Sequence, residues 1–168
     1  MNREHSVEAT RRSTDDIKKV MNPLESPGTA LIRRFIEQVW NHGDVSHIDD
    51  FVHPDYMVDG TTVGNDWVTQ NVASLRRSFP DLHFSVLTML EQENQVAGLL
   101  RMTGTHRAEW RGIPATGKTI DCREAAFWRI DDGLIVSGAF IAEALTMRIQ
   151  LGLLPPSVWH GQAGTNAH

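Results

Sequence analysis

The chain has 168 residues with 21 acidic and 16 basic side chains, a formal charge of −5, so it lacks the gathered positive charge that a phosphate-neutralising surface needs. The only basic doublets are Arg11-Arg12, Lys18-Lys19, Arg33-Arg34 and Arg76-Arg77, and nucleic-acid binding is set aside. A hydrophobic fraction of 40% with 22% charged residues suits one globular domain with a packed core. The single cysteine, Cys122, forms no intrachain disulfide and fits a reducing compartment as a buried, inert thiol.

The charged start Met1-Asn2-Arg3-Glu4-His5 is followed by no apolar stretch, which predicts neither a signal peptide nor a membrane span and a cytoplasmic protein. Residues 1–25 read as a flexible extension with one helical turn near Asp15–Val20, residues 26–154 as the folded domain, and residues 155–168 as a loose tail. Ser26-Pro27 opens the first helix, with Leu31, Ile32, Phe35 and Val39 on one face and Asn41-His42-Gly43 at its end. Asp44 is expected to cap a short second helix, its apolar side formed by Val45, Ile48 and Phe51-Val52, that stops at Pro54 and packs on the first as a hairpin. A third helix starts at Asp66, turns Val68, Val72, Leu75 and Phe79 inward, and ends at Pro80-Asp81.

From Leu82 the apolar period changes to two. Gln92–Gln95 and Asp131-Asp132-Gly133 are turns, the segment Arg111–Lys118 is a loop, and the intervening runs form a four-stranded antiparallel meander. Both faces of these strands are apolar, so something covers each: helices on the concave face, leaving a cone-shaped cavity, and a second subunit on the convex one. Residues 147–154 form a short amphipathic tail helix. The fold class is α+β: a curved, mostly antiparallel sheet of four to six strands, with three N-terminal helices enclosing a pocket.

Six segments occur in an order that is specific: residues 39–44 (VWNHGD), 79–82 (FPDL), 104–106 (GTH), 112–118 (GIPATGK), 132–136 (DGLIV) and 151–154 (LGLL). With them the chain resembles the SnoaL-like polyketide cyclase family, of the nuclear-transport-factor-like α+β barrel superfamily, over about residues 29–154. The apolar outer sheet face predicts a homodimer, and the resemblance implies an apolar polycyclic or polyketide-like substrate handled by acid/base side chains without metal or organic cofactor. It leaves the reaction open between aldol-type ring closure, epoxide opening or hydrolysis, and hydroxylation. A binding protein that delivers or senses a ligand without chemistry is a further reading.

His106 shares strand parity with Val96, Leu100 and Met102 on an apolar face and matches the histidine of the family's Gly-Thr-His motif, which implies an acid/base role. A core histidine bonded to a nearby carbonyl is the other reading. Glu143 stands where the resemblance places an essential aspartate; among Ile141, Ala142, Ala144 and Leu145 it is expected to be desolvated, with a raised pKa, or else to be a rim carboxylate in water. Tyr56, the only tyrosine, serves either substrate oxygen or packing. Ala139 replaces a family tryptophan and Asp59 a family histidine, which reshapes the pocket. Trp40, Asp59, Trp67, Met102, Trp110, Trp128 and Phe140 are the expected substrate-binding positions, with Trp67 and Trp110 the preferred walls. The histidines are scattered without metal-ligand spacing, and Gly112–Gly117 joins two strands rather than opening a helix, which rules out a phosphate loop.

Overall fold

The computed structural model describes residues 25–158; the expected N-terminal extension as far as residue 24 and the residues after 158 lie outside it. Helix α1, Pro27–Phe35, continues through a π-helical turn at Ile36–Asn41 and stops at Gly43, whose φ of 72° suits glycine. Leu31, Ile32, Phe35 and Val39 are buried as their spacing predicts. The cap at its start comes from far away in sequence. The Glu91 carboxylate accepts the Gly28 and Thr29 amides at 3.3 and 2.7 Å and the Ser26 hydroxyl, satisfying donors that no intrahelical carbonyl reaches.

The second helix is corrected. Only a single 3₁₀ turn forms, Ile48–Asp50, and strand β1 follows at Val52–Val58, running through Pro54. Proline lacks the amide a regular ladder needs, and the pairing of β1 is irregular between Val52 and Met57. Strand β2, Thr61–Thr62, folds back on β1, and helix α2 spans Asp66–Ser78 with Asn65 before it.

The four meander strands are β3 (His83–Gln92), β4 (Gln95–Thr105), β5 (Thr119–Asp131) and β6 (Leu134–Ala142). Strand β1 adds in parallel beside β6, so the sheet has six strands in the order β2-β1-β6-β5-β4-β3. Register shifts between Val86 and Thr88 and between Arg129 and Ile130 mark bulges, the devices that bend a sheet. Helix α3, Ala144–Gln150, closes the domain.

Cross-strand register separates the two faces. Phe84–Met102–Cys122, Val86–Leu100–Glu124–Ala142 and Gly98–Ala126–Phe140 are rows on one side, where the helices pack. Leu90–Ala97–Phe127–Ala139 and Leu99–Ala125–Ile141 are rows on the other, where Leu90, Phe127 and Ile141 remain exposed.

Two polar clamps hold the helices to the sheet. Asn41 exchanges two bonds with the Phe84 backbone, at 2.8 and 3.1 Å, and Arg76 donates to the Trp40 and Asn41 carbonyls at 3.0 and 2.7 Å. Asp81 accepts the amide and hydroxyl of Thr105 at 2.6 and 2.7 Å, bonds that hold its carboxyl below the usual range. A side chain at Gly104 would press on Phe79 Cβ at 3.2 Å. The recognised segments at 39–44, 79–82 and 104–106 are thus joints between helix ends and strands.

Candidate functional site

Between the helices and the bent sheet lies a cavity of about 210 Å³. Its wall is mainly apolar: Ile36 and Trp40 from the first helical segment, Leu75 from α2, Phe84, Leu100, Met102 and Phe140 from the sheet, Trp110 from the β4–β5 loop, and Met147 from α3. Exposed Ala142, Ala144 and Arg111 also line it and mark the mouth. Such an enclosure suits a flat organic molecule.

Glu124 and Arg111 are the ionisable residues in this lining. Glu124 stands in the row Val86–Leu100–Glu124–Ala142, facing the cavity with protein on most sides. Burial pushes its carboxyl up to about 7, because apolar surroundings disfavour the charge and no opposite charge compensates. A carboxyl poised there gives and takes protons near neutrality.

Glu124 is missing from the site residues expected from sequence, yet its signal is present there. Ile120, Cys122, Ala126 and Trp128 alternate inward on β5 and are buried, and Glu124 has the same parity. A carboxylate in a buried row stands out once the parity is followed along the strand.

The expected desolvation of Glu143 is corrected. It lies at the start of α3, where Oε2 accepts the Arg123 amide at 2.9 Å and Oε1 the Arg123 guanidinium at 2.9 Å. The Arg123 backbone and side-chain bonds hold its carboxyl below, not above, the usual range. It is the rim carboxylate in water, and the cavity lining does not include it.

His106 is fully buried and stacked on Phe79 at 5.0 Å, and Phe79 meets Trp110 edge-on at 5.8 Å. The imidazole therefore supports the wall residue Trp110 through Phe79, and neither His106 nor Phe79 is in the cavity lining. Nδ1 accepts the Thr116 amide at 3.3 Å and lies 3.2 Å from its hydroxyl, which places the proton of the neutral ring on Nε2. That Nε2 and the Trp128 Nε1 are buried without a partner among the described residues.

The other expected positions divide. Trp40, Met102, Trp110 and Phe140 line the cavity. Trp128 sits behind Phe140, edge-on at 6.3 Å. Trp67 is no cavity wall; it packs on Tyr56 at 6.3 Å. The Tyr56 ring is buried beside Gly138, and burial, then the charge of Asp59, raises its phenol above the usual value. Asp59 is exposed in the β1–β2 turn with φ 49°, outside the cavity lining. Among the described residues no helix is long and apolar enough to cross a membrane, and no group of three or more His, Cys, Asp or Glu gathers as metal ligands.

Comparison with known proteins agrees with this architecture. The chain is 27% identical over 112 residues to the aklanonic acid methyl ester cyclase AcmA of Streptomyces galilaeus, covering 63% of this chain and 77% of that one. Among solved structures, TsrD of Streptomyces laurentii superposes with a TM-score of 0.72 at 22% identity, covering 77% of this chain and 98% of the other. IdmH of Streptomyces antibioticus, a proposed polyketide cyclase, superposes at 0.67 with 25% identity, covering 74% and 98%. AclR of Streptomyces galilaeus, a proposed hydroxylase, does so at 0.67 with 25% identity, covering 76% and 97%. Residues 30–151 match the SnoaL-like polyketide cyclase profile, and with a bent six-stranded sheet closing on an apolar cavity, the chain belongs to the SnoaL-like polyketide cyclase family.

Proposed function

We propose that the protein closes a ring in an aromatic polyketide-type intermediate by acid/base chemistry, with Glu124 as the proton-transferring group. The observation that carries this reading is a single half-neutral carboxyl on the mainly apolar wall of the cavity. In its ionised form Glu124 removes a proton from carbon flanked by carbonyls. The enolate carbon attacks a second carbonyl of the same molecule; a carbon–carbon bond forms as the carbonyl π bond opens, and the alkoxide takes the proton back from Glu124. The cycle is an isomerisation that consumes no cofactor, and the apolar wall keeps water from the enolate.

In this reading His106 is a positioning residue that holds the wall residue Trp110 through Phe79, and Glu143 and Tyr56 are structural. The exposed apolar rows of the outer sheet face are assigned to a second copy of the chain.

Aklanonic acid methyl ester, the compound in the name of the AcmA relative, is offered first, side by side with its free acid. Glu124→Gln is expected to lower its turnover by at least roughly 100-fold, the scale of a lost general base, while Glu143→Gln stays at the parental rate. Parental turnover by Glu124→Gln would refute the assignment. Labelled water and labelled oxygen should both be absent from the product. Incorporation of either would favour hydration or hydroxylation, the second reading that the likeness to AclR supports.

A further inference from the structure

The β4–β5 loop places a cation at the cavity mouth by an unusual route. Trp110 and Ile113 exchange backbone bonds at 2.9 Å each way, closing a two-residue turn over Arg111 and Gly112. Both centres are left-handed, with φ 50° and 81°. Gly112 suits that conformation, whereas arginine is disfavoured where asparagine, aspartate or glycine would sit more easily. The Gly112 amide also donates to Glu109 Oε1 at 2.6 Å, which fixes the turn.

Arg111 stacks its guanidinium on Trp110, with Cζ 5.1 Å from the ring centroid. Stacking uses the face of the group; its five N–H donors lie in the plane and stay available. Arg33, Arg101 and Arg123 each hold a carboxylate; Arg111, like several other arginines, has no ion-pair partner among the described residues, and it is the one that lines this cavity. Glu124, in the same lining, does not serve as one. Burial alone accounts for the position of its carboxyl, which a guanidinium in contact would lower. The cavity therefore has a cation at its mouth and a separate proton-transferring group on its sheet wall.

We infer that Arg111 is a specificity-determining residue that binds an anionic oxygen pair of the substrate, a carboxylate, at the cavity mouth while the apolar body of the molecule extends toward Glu124. This rests on the cyclase reading above and adds the substrate class: a free acid is preferred over its neutral ester. The guanidinium fork matches a carboxylate with two parallel hydrogen bonds, and the Trp110 stack holds it ready.

The test is calorimetric titration of the full chain with 2-naphthoate and with methyl 2-naphthoate, at about pH 6, below the titration of Glu124. The parent is expected to bind the acid roughly tenfold or more tightly than the ester, the scale of one charge-assisted pair. Arg111→Gln should abolish that preference while leaving ester affinity within about twofold, and Arg111→Lys should restore part of it. The Arg111 side chain is exposed, so unchanged thermal melting checks that the variants fold. Equal binding of acid and ester by the parent, or a preference that survives in Arg111→Gln, overturns the inference. Failure of both probes to bind overturns it together with the cavity reading. The preference is also measured in Glu124→Gln. If that variant keeps parental turnover yet still prefers the acid, the cyclase assignment falls and the Arg111 site stands.

Discussion

Glu124 draws its chemistry from its place in a strand, one inward carboxyl in a row of apolar side chains. Its raised pKa has two measurable consequences. For activity, the ionised base is the working form, so kcat/KM should rise with pH to a plateau through an apparent pKa of about 7. For stability the sign is opposite. Between the ordinary value of 4.5 and the native value of about 7, the folded state holds a proton that the unfolded chain has released. Stability is therefore fully present below the ordinary value and is lost as the pH rises through the native one. At ~1.4 kcal/mol per pH unit the loss is on the order of 3 kcal/mol. Glu124→Gln should flatten that part of the stability profile in urea titrations at stepped pH, and be the more stable protein in alkaline buffer. Glu143 stands in contrast: with its carboxylate in water and paired to Arg123, Glu143→Gln should cost less than about 1 kcal/mol.

At the scale of elements, close approach between strands shapes the cavity wall. A Cβ at Gly138 would overlap the Tyr56 hydroxyl and come 2.8 Å from the Phe140 ring, so glycine here leaves the room that those two side chains occupy. Gly138→Ala is expected to destabilise by about 2 kcal/mol, in the range of overpacked cores. Tyr56→Phe removes the overlapping hydroxyl and should recover part of that loss; a double-mutant cycle by urea denaturation measures the coupling. Additive effects would show that the two residues do not share this space.

For the molecule as a whole, the outer sheet face exposes Leu90 at 71%, Ile141 at 68% and Phe127 at 50%, on rows that cross four strands. A band of this kind tends toward association. We expect a dimer in sedimentation at micromolar concentration and a monomer for Phe127→Lys combined with Ile141→Lys. A parent mass that stays monomeric across concentrations would rule the assembly out.

Much of the fold is legible in the amino-acid order. The 3.6-residue spacing of Leu31, Ile32, Phe35 and Val39, the turn residues Asp131-Asp132-Gly133, and the alternation on β4 set local form, because each expresses a preference that acts within a few residues. The ordered segments from 39–44 to 151–154 point to the family. The expected short second helix fails because Val52 satisfies a helical stripe and a strand alike, and only its parallel pairing with β6 selects the strand. The expected desolvation of Glu143 fails for a similar reason. Glu143 and Glu124 are each followed by an alanine, and whether a carboxylate meets water or apolar side chains depends on neighbours distant in sequence: Arg123 for the one, Leu100 and Trp110 for the other. The sequence by itself determined the first and third helices, the four meander strands, their order and the family. Tertiary structure decided that the inward side of Glu124 opens on the cavity and that Arg111 stands at its mouth, since burial and charge pairing are properties of contacts that the chain makes only once the sheet has bent around them.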